Sequence, residues 1–199
     1  MKTNYLTKVS AQQKIMSVNN RFGNPGMKKQ QGSTVEIYDM VKLSAIKTTY
    51  DFFSDTANKI FPFTNLKNGM LQPQESFAME RAYLSLCTYD VPSETWVEVR
   101  ELNLITDFGI AMGEFEFTIE NQRVLKPFPV RSFFPQFNSD SESETQSVLE
   151  FDTQIILPPL LNFKASFKFP NKFFTSDKDV YLCMTIGGAG GIFAPKSNY

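Results

Sequence analysis

Histidine is absent from this chain of 199 residues. The sequence therefore lacks the usual general base near neutral pH, the usual zinc ligand and the base of a Ser-His or Cys-His pair. Aspartate, glutamate, lysine and tyrosine can still perform acid–base chemistry, so the absence lowers the expectation of catalysis without removing it. We predict that the protein is not an enzyme and that it has no catalytic residue and no cofactor.

Cysteine and long apolar runs are also scarce. The two cysteines, Cys87 and Cys183, each lie in an apolar, strand-like run, outside any CxxC pair or metal-spaced cluster. We interpret them as small buried hydrophobic residues, with a disulfide as the minor alternative. No segment approaches the roughly 18 consecutive apolar residues of a membrane span, and residues 1–20 lack the apolar stretch of a secretory signal. We therefore expect synthesis in a reducing cytoplasm.

Acidic residues are missing from the first 34 positions. This segment has six basic residues and a charge of +6, whereas residues 35–199 hold 14 basic and all 21 acidic residues, a charge of −7. The segment is rich in Gln, Asn, Ser and Gly, contains the breaker run Gly23–Gly26, and has no sustained apolar period. We predict that residues 1–34 form a basic, flexible N-terminal arm and that residues 35–199 form one domain.

A basic arm on an acidic body suits contact with nucleic acid or with an acidic neighbouring subunit. A solubilising tail of no further function is the alternative. The candidate contact residues of the arm are Lys2, Lys8, Lys14, Arg21, Lys28 and Lys29.

After the arm, short apolar runs are separated by Pro, Gly and Asn, as in sandwiches and barrels. Apolar and polar residues alternate at 115–119 and at 163–169, which predicts strands with one buried face. A strand is also predicted over 77–88, where a helix is the competitor, and at 155–157, before two prolines. The proline-containing segment 127–135 is predicted to be an edge or irregular segment. Seven to nine such strands favour an all-β fold with Greek-key connections.

Phenylalanine is abundant, with 20 Phe against 7 Tyr and 1 Trp. It carries a large apolar area without a polar group, so it suits sheet cores and buried subunit contacts better than polar binding clefts. We predict that Phe117 and Phe167 lie on buried faces.

Three patterns that occur in active or binding sites have simpler explanations here. The run Gly187–Gly191 lacks the following helix and the Lys of a phosphate loop, so we interpret it as a flexible or close-packed terminal turn that another backbone approaches. Glu114 and Glu116 share one face of one strand, which favours a solvated face over a glycosidase pair. The acidic loop Asn138–Gln146 lacks the Gly turn and bidentate spacing of a calcium loop, so we predict no metal site.

A carbohydrate- or ligand-binding β-sandwich is the main alternative to a structural protein. Such sites stack sugars on exposed Trp and Tyr, and this chain has Trp96 and seven scattered tyrosines. The alternative therefore stays open.

Two stretches resemble a known family. Leu71–Arg81, a polar turn entering an alternating strand, and Ile155–Pro159, followed by the Phe163–Phe169 strand and a last strand ending on glycines, resemble jelly-roll capsid proteins of tailless icosahedral bacteriophages. The resemblance covers Val35–Ile192. It implies a single jelly roll, a Greek-key β-sandwich with an extended N-terminal arm, because a double jelly roll usually needs a longer chain.

The same resemblance implies a function. It suggests a non-enzymatic virion structural protein, a capsid, penton or minor capsid subunit, that self-assembles through apolar contacts and its arm. Its partners would be copies of itself and other virion proteins, with nucleic acid or an internal membrane as alternative contacts of the arm. We expect it in the virion after synthesis in the host cytoplasm.

Overall fold

The computed structural model describes residues 27–32, 36–54, 59, 61–67, 69–90, 95–98, 112–120, 122–133, 148–170 and 179–195. Most of this part of the chain lies in β-strands, which confirms the all-β prediction. Its ten strands are β1 (Met27–Gly32), β2 (Glu36–Lys42), β3 (Thr49–Phe52), β4 (Glu75–Asp90), β5 (Thr95–Glu98), β6 (Glu114–Ile119), β7 (Gln122–Pro129), β8 (Val148–Leu157), β9 (Phe163–Lys168) and β10 (Asp179–Pro195), with one short 3-10 helix at Val130–Phe133.

The first sheet is organised around its two longest strands. β10, with 17 residues, pairs with β4, with 16 residues, along most of their lengths. β2 and then β1 lie along the outer side of β10, and β5 and β8 lie along the outer side of β4. Every pairing is antiparallel.

The second sheet has the order β3-β9-β6-β7 and is also antiparallel. A tight turn at Glu120, with φ at 51°, connects β6 to β7. The inner faces of the two sheets contribute to one hydrophobic core. The fold is therefore a β-sandwich.

Aromatic rings fill the centre of this core. Phe115, Phe133 and Phe167 contact one another with ring centroids 4.8 to 5.7 Å apart. Phe117 and Phe167 are both 0% exposed, as predicted. Such tilted and edge-on ring pairs add about 0.5–1.5 kcal/mol each beyond the apolar area that they bury.

The segment in which a helix and a strand competed forms a strand. Ala82, Leu84 and Leu86 are buried at every second position of β4, and β10 supplies a long partner. Tertiary pairing therefore overrides the local helix propensity. The proline-rich edge prediction is confirmed as well, because β7 contains Pro127 and Pro129 and pairs only with β6 within the described residues.

The prediction that the glycines form a terminal turn is wrong. β10 continues through Gly187–Gly191 to Pro195 and pairs with β4 throughout, with a bulge between Gly187 and Gly188. The predicted close backbone approach is correct, because a Cβ at Gly188 would overlap the carbonyl oxygen of Ala78. Glycine is needed here for the spacing between two central strands.

Part of the predicted arm is in the sheet. Residues 27–32 form β1, which pairs with β10 through residues 192–195. No apolar alternation marks this strand, which is why the sequence did not predict it. Residues 1–26 of the arm and the acidic loop 138–146 lie outside the described residues.

Candidate assembly surfaces

The outer face of the second sheet is charged. Glu116 on β6 pairs with Arg123 on β7 at 3.0 Å. Lys164 on β9 lies 3.6 Å from Asp51 on β3. Exposed pairs of this kind contribute about 0–1 kcal/mol and suit contact with water. Glu114 and Glu116 therefore lie on a solvated face, as predicted.

The outer face of the first sheet also carries charged residues, with Lys42 paired to Asp179 at 2.6 Å and Arg81 above the ring of Tyr83, but tyrosines lie between them. Leu182, Met184 and Ile186 of β10 enter the core, so the residues between them point away from it. The same alternation applies to β2 and β4. We call the resulting surface the tyrosine face; its residues are Tyr38, Met40, Tyr83, Ser85, Tyr181, Cys183 and Thr185.

Burial disfavours ionisation of the tyrosines and the thiol of the tyrosine face. Burial raises the pKa of Tyr38 and of Tyr181 above the ordinary value of 10.0. Burial, and then the proximity of Cys87, raise the pKa of the Cys183 thiol to about 12. A protonated thiol is a poor nucleophile. Both cysteines are free, which agrees with the predicted structural role.

The outer edge of β2 is covered by residues 63–65, which we call the edge cover. The Met40 N–H donates to the carbonyl oxygen of Phe63 at 2.9 Å. The Tyr38 N–H donates to Asn65 Oδ1 at 2.9 Å, and Asn65 Nδ2 donates to the Glu36 carbonyl oxygen at 3.0 Å. A side-chain amide thus replaces the next strand and blocks further pairing at this edge.

A buried carboxylate anchors the chain that leads to the edge cover. Asp39 is 0% exposed and accepts the Phe53 N–H at 2.8 Å and Lys59 Nζ at 2.9 Å. Phe53 has a φ of 63°, so the hydrogen bond holds a left-handed residue at the end of β3. Burial raises the pKa of Asp39, and the Lys59 ammonium opposes that shift.

Sequence reasoning missed Asp39. The available signal was a carboxylate at an inward position of an alternating strand, between Ile37 and Val41. A buried charge needs a partner. Lys59, 20 residues along the chain, gave no indication in the sequence that it was that partner.

The structure places only part of the predicted set of arm residues. Lys28 and Lys29 lie on β1, at the edge of the first sheet. The other four, Lys2, Lys8, Lys14 and Arg21, lie outside the described residues. Their contacts stay a prediction.

No group of three or more His, Cys, Asp or Glu side chains is arranged to hold a metal ion among the described residues. No helix in this part of the chain is long and apolar enough to cross a membrane.

The chain has no match among family models, curated proteins or solved structures. Its function therefore has to be argued from its own strand order and surfaces.

Proposed function

We propose that this protein is a non-enzymatic structural subunit of a viral particle, built as a single jelly roll. The observation that carries the proposal is the strand pairing. From the middle of the chain outward, β6 pairs with β7, β4 with β8, β3 with β9 and β2 with β10. This is the pairing of one long antiparallel hairpin rolled over itself into two sheets. Jelly rolls with this arrangement are typical of viral capsid domains and also occur in lectins and cupins.

The unequal outer faces support assembly. The tyrosine face, with Arg81 above the ring of Tyr83, suits burial against another protein, because aromatic residues and arginine are enriched at interface centres. The charge-paired face of the second sheet suits solvent. A subunit of a shell needs both kinds of surface.

Jelly rolls also occur in sugar-binding proteins, so a carbohydrate- or ligand-binding module is the second candidate. The observation that favours it is the placement of Tyr38, Tyr83 and Tyr181 on one face. Aromatic rings on an accessible sheet face can stack against sugars. On this reading the protein would bind a ligand as a monomer.

Light scattering and negative-stain microscopy on the purified full chain separate the two candidates. A subunit of a particle forms closed oligomers or shells as the concentration rises. A monomer at all concentrations would overturn the structural proposal, and glycan binding by that monomer would support the second candidate.

A matched pair of variants tests the tyrosine face. Thr185→Arg places a charge in its middle, whereas Thr118→Arg places the same charge on the outer face of the second sheet. Both threonines are half-buried on central strands. We expect the first variant to weaken assembly and the second to leave it unchanged. Equal effects would exclude the tyrosine face as the contact.

A further inference from the structure

We propose that β1 and the basic segment before it dock on the β8 edge of a second copy of this chain, so that copies join head to tail through opposite edges of the first sheet. This inference rests on the proposed assembling function and names the two surfaces that would meet.

The two edges are offset along the strands of the sheet. β1 pairs with the end of β10, where Ile192 stands opposite Glu75 at the start of β4. β8 pairs with the first half of β4, from Phe77 to Tyr83. Within the described residues, each of these two strands is paired on one side only. Lys29 stands opposite Ala194, whereas Glu150 stands opposite Arg81 and, through it, Gly187. A neighbouring copy that brings its Lys29 beside Glu150 is therefore shifted by about seven residues, roughly 23 Å, along the strands.

The two edges have opposite charge. Lys28 and Lys29 lie on β1, in a segment of 34 residues with six basic and no acidic residues. Glu150 and Asp152 of β8 are exposed. They belong to the stretch 132–163, which has five acidic and no basic residues. Opposite potentials of this kind steer encounter and select the partner edge.

The shape of β8 favours a contact through side chains. Residues 151–154 stand opposite the single residue Glu80, because Ile155 pairs with Met79 and Glu150 with Arg81. A bulge of this size interrupts the row of backbone groups that a regular added strand would use. It leaves Asp152 on the outside of the edge.

Unmet hydrogen-bonding capacity is found at the same place. Gln154 contacts Glu80, yet its Oε1 atom, an acceptor, is buried without a partner among the described residues. Buried polar atoms normally have a partner. A polar segment from a neighbouring copy would bring donors to the β8 edge.

A contact between two different edges is heterologous. Repetition of it closes a ring when the rotation per copy permits, and otherwise extends as a filament. Head-to-tail joining thus gives the geometry that a multi-subunit vertex requires. Because this contact uses only the edges of the first sheet, the tyrosine face stays available for a different contact.

Charge reversal on the full-length protein tests the pairing. The first variant is Lys28→Glu with Lys29→Glu, and the second is Glu150→Lys with Asp152→Lys. The control combines Lys126→Glu with Glu114→Lys, two exposed positions of the second sheet. Each reversed variant has two edges of like charge, so we expect its association at low salt to weaken about tenfold or more. The control should associate as the wild type does.

Mixing gives the decisive result. An equimolar mixture of the two reversed variants presents opposite charges at every contact, so association should return to near the wild-type level. Added salt should weaken the wild-type contact, because exposed charges are screened. Circular dichroism on each variant checks that the β-sandwich is intact.

Three other outcomes would contradict the inference. Wild-type assembly that neither reversal affects, or that mixing does not restore, overturns this inference and leaves the proposed function standing. A wild-type protein that stays monomeric overturns both. Loss of nucleic-acid binding in the β1 variant with unchanged assembly would make nucleic acid the partner of the arm, and would also overturn the inference.

Discussion

Replacement of Phe167 by alanine tests the reasoning about the core most directly. The ring is 0% exposed, and its centroid lies 5.3, 4.8, 5.7 and 6.2 Å from those of Phe52, Phe115, Phe133 and Phe169. These neighbours come from both strands beside β9, from the 3-10 helix and from the chain after β9, so they cannot all move into the vacated space. A fully buried Phe→Ala change costs about 3–5 kcal/mol, and poor collapse places this one in the upper half of that range.

Urea unfolding followed by circular dichroism measures the loss. With a slope of about 2 kcal/mol per molar urea, a loss of about 4 kcal/mol lowers the midpoint by about 2 M at an unchanged slope. Phe128→Ala is the matched control, because Phe128 is half-buried on the edge strand β7; it should cost about 1–2 kcal/mol. A loss below about 1 kcal/mol for Phe167→Ala would refute the assignment of this ring to the core of the monomer.

Three further predictions concern single positions. Burial raises the pKa of Asp39 above its usual 3.8, so the unfolded chain loses this proton at lower pH than the folded protein does. The free energy of unfolding should therefore fall as the pH rises from 3.8 through the folded-state pKa. Urea unfolding at several pH values should show this fall in the wild type and not in Asp39→Asn, and an equal pH dependence of the two proteins would contradict the prediction. Gly188→Ala should lower the free energy of unfolding by about 1–3 kcal/mol, because the new Cβ meets the backbone of Ala78. Gly187→Ala should lower it less, because the nearest neighbour of the new Cβ is the flexible Arg81 side chain at 2.7 Å. Equal melting temperatures of the two variants would count against the close approach of β4 and β10 at Gly188. With its pKa raised to about 12, the Cys183 thiol should react with a disulfide reagent at pH 8 far more slowly in the folded than in the unfolded protein, and equal rates would disprove its burial.

The sequence predicted strands correctly where apolar and polar residues alternate within the strand itself. At 115–119 and 163–169 every second residue is apolar, because each strand has one face in the core and one in water. β1 has no such signal, since it is held in the described structure by backbone pairing along β10. The strand through Gly187–Gly191 was missed for a related reason. Glycines usually mark turns, and only the proximity of β4 makes them necessary inside a strand.

The candidate surfaces were less predictable than the strands. The basic segment and its opposite charge to the body could be read directly from composition. The tyrosine face could not, because Tyr38, Tyr83 and Tyr181 are far apart in the chain and meet only through the pairing of β2, β4 and β10. The edge cover could not be predicted either, because nothing in the sequence distinguishes Asn65, which caps the edge of β2, from an ordinary loop asparagine. Long-range pairing creates these surfaces, and no local pattern reports it.

The central place of β10 has a consequence for biosynthesis. Among the described strands it is the last to leave the ribosome, yet it separates β2 from β4 and pairs with both. The first sheet therefore cannot close before β10 has been synthesised, and until then the apolar faces of the earlier strands stay uncovered. Non-local pairing of this kind folds slowly and exposes aggregation-prone edges to other nascent chains. We expect the first sheet to form only once β10 has emerged, and the earlier strands to depend until then on chaperones that hold the emerging chain.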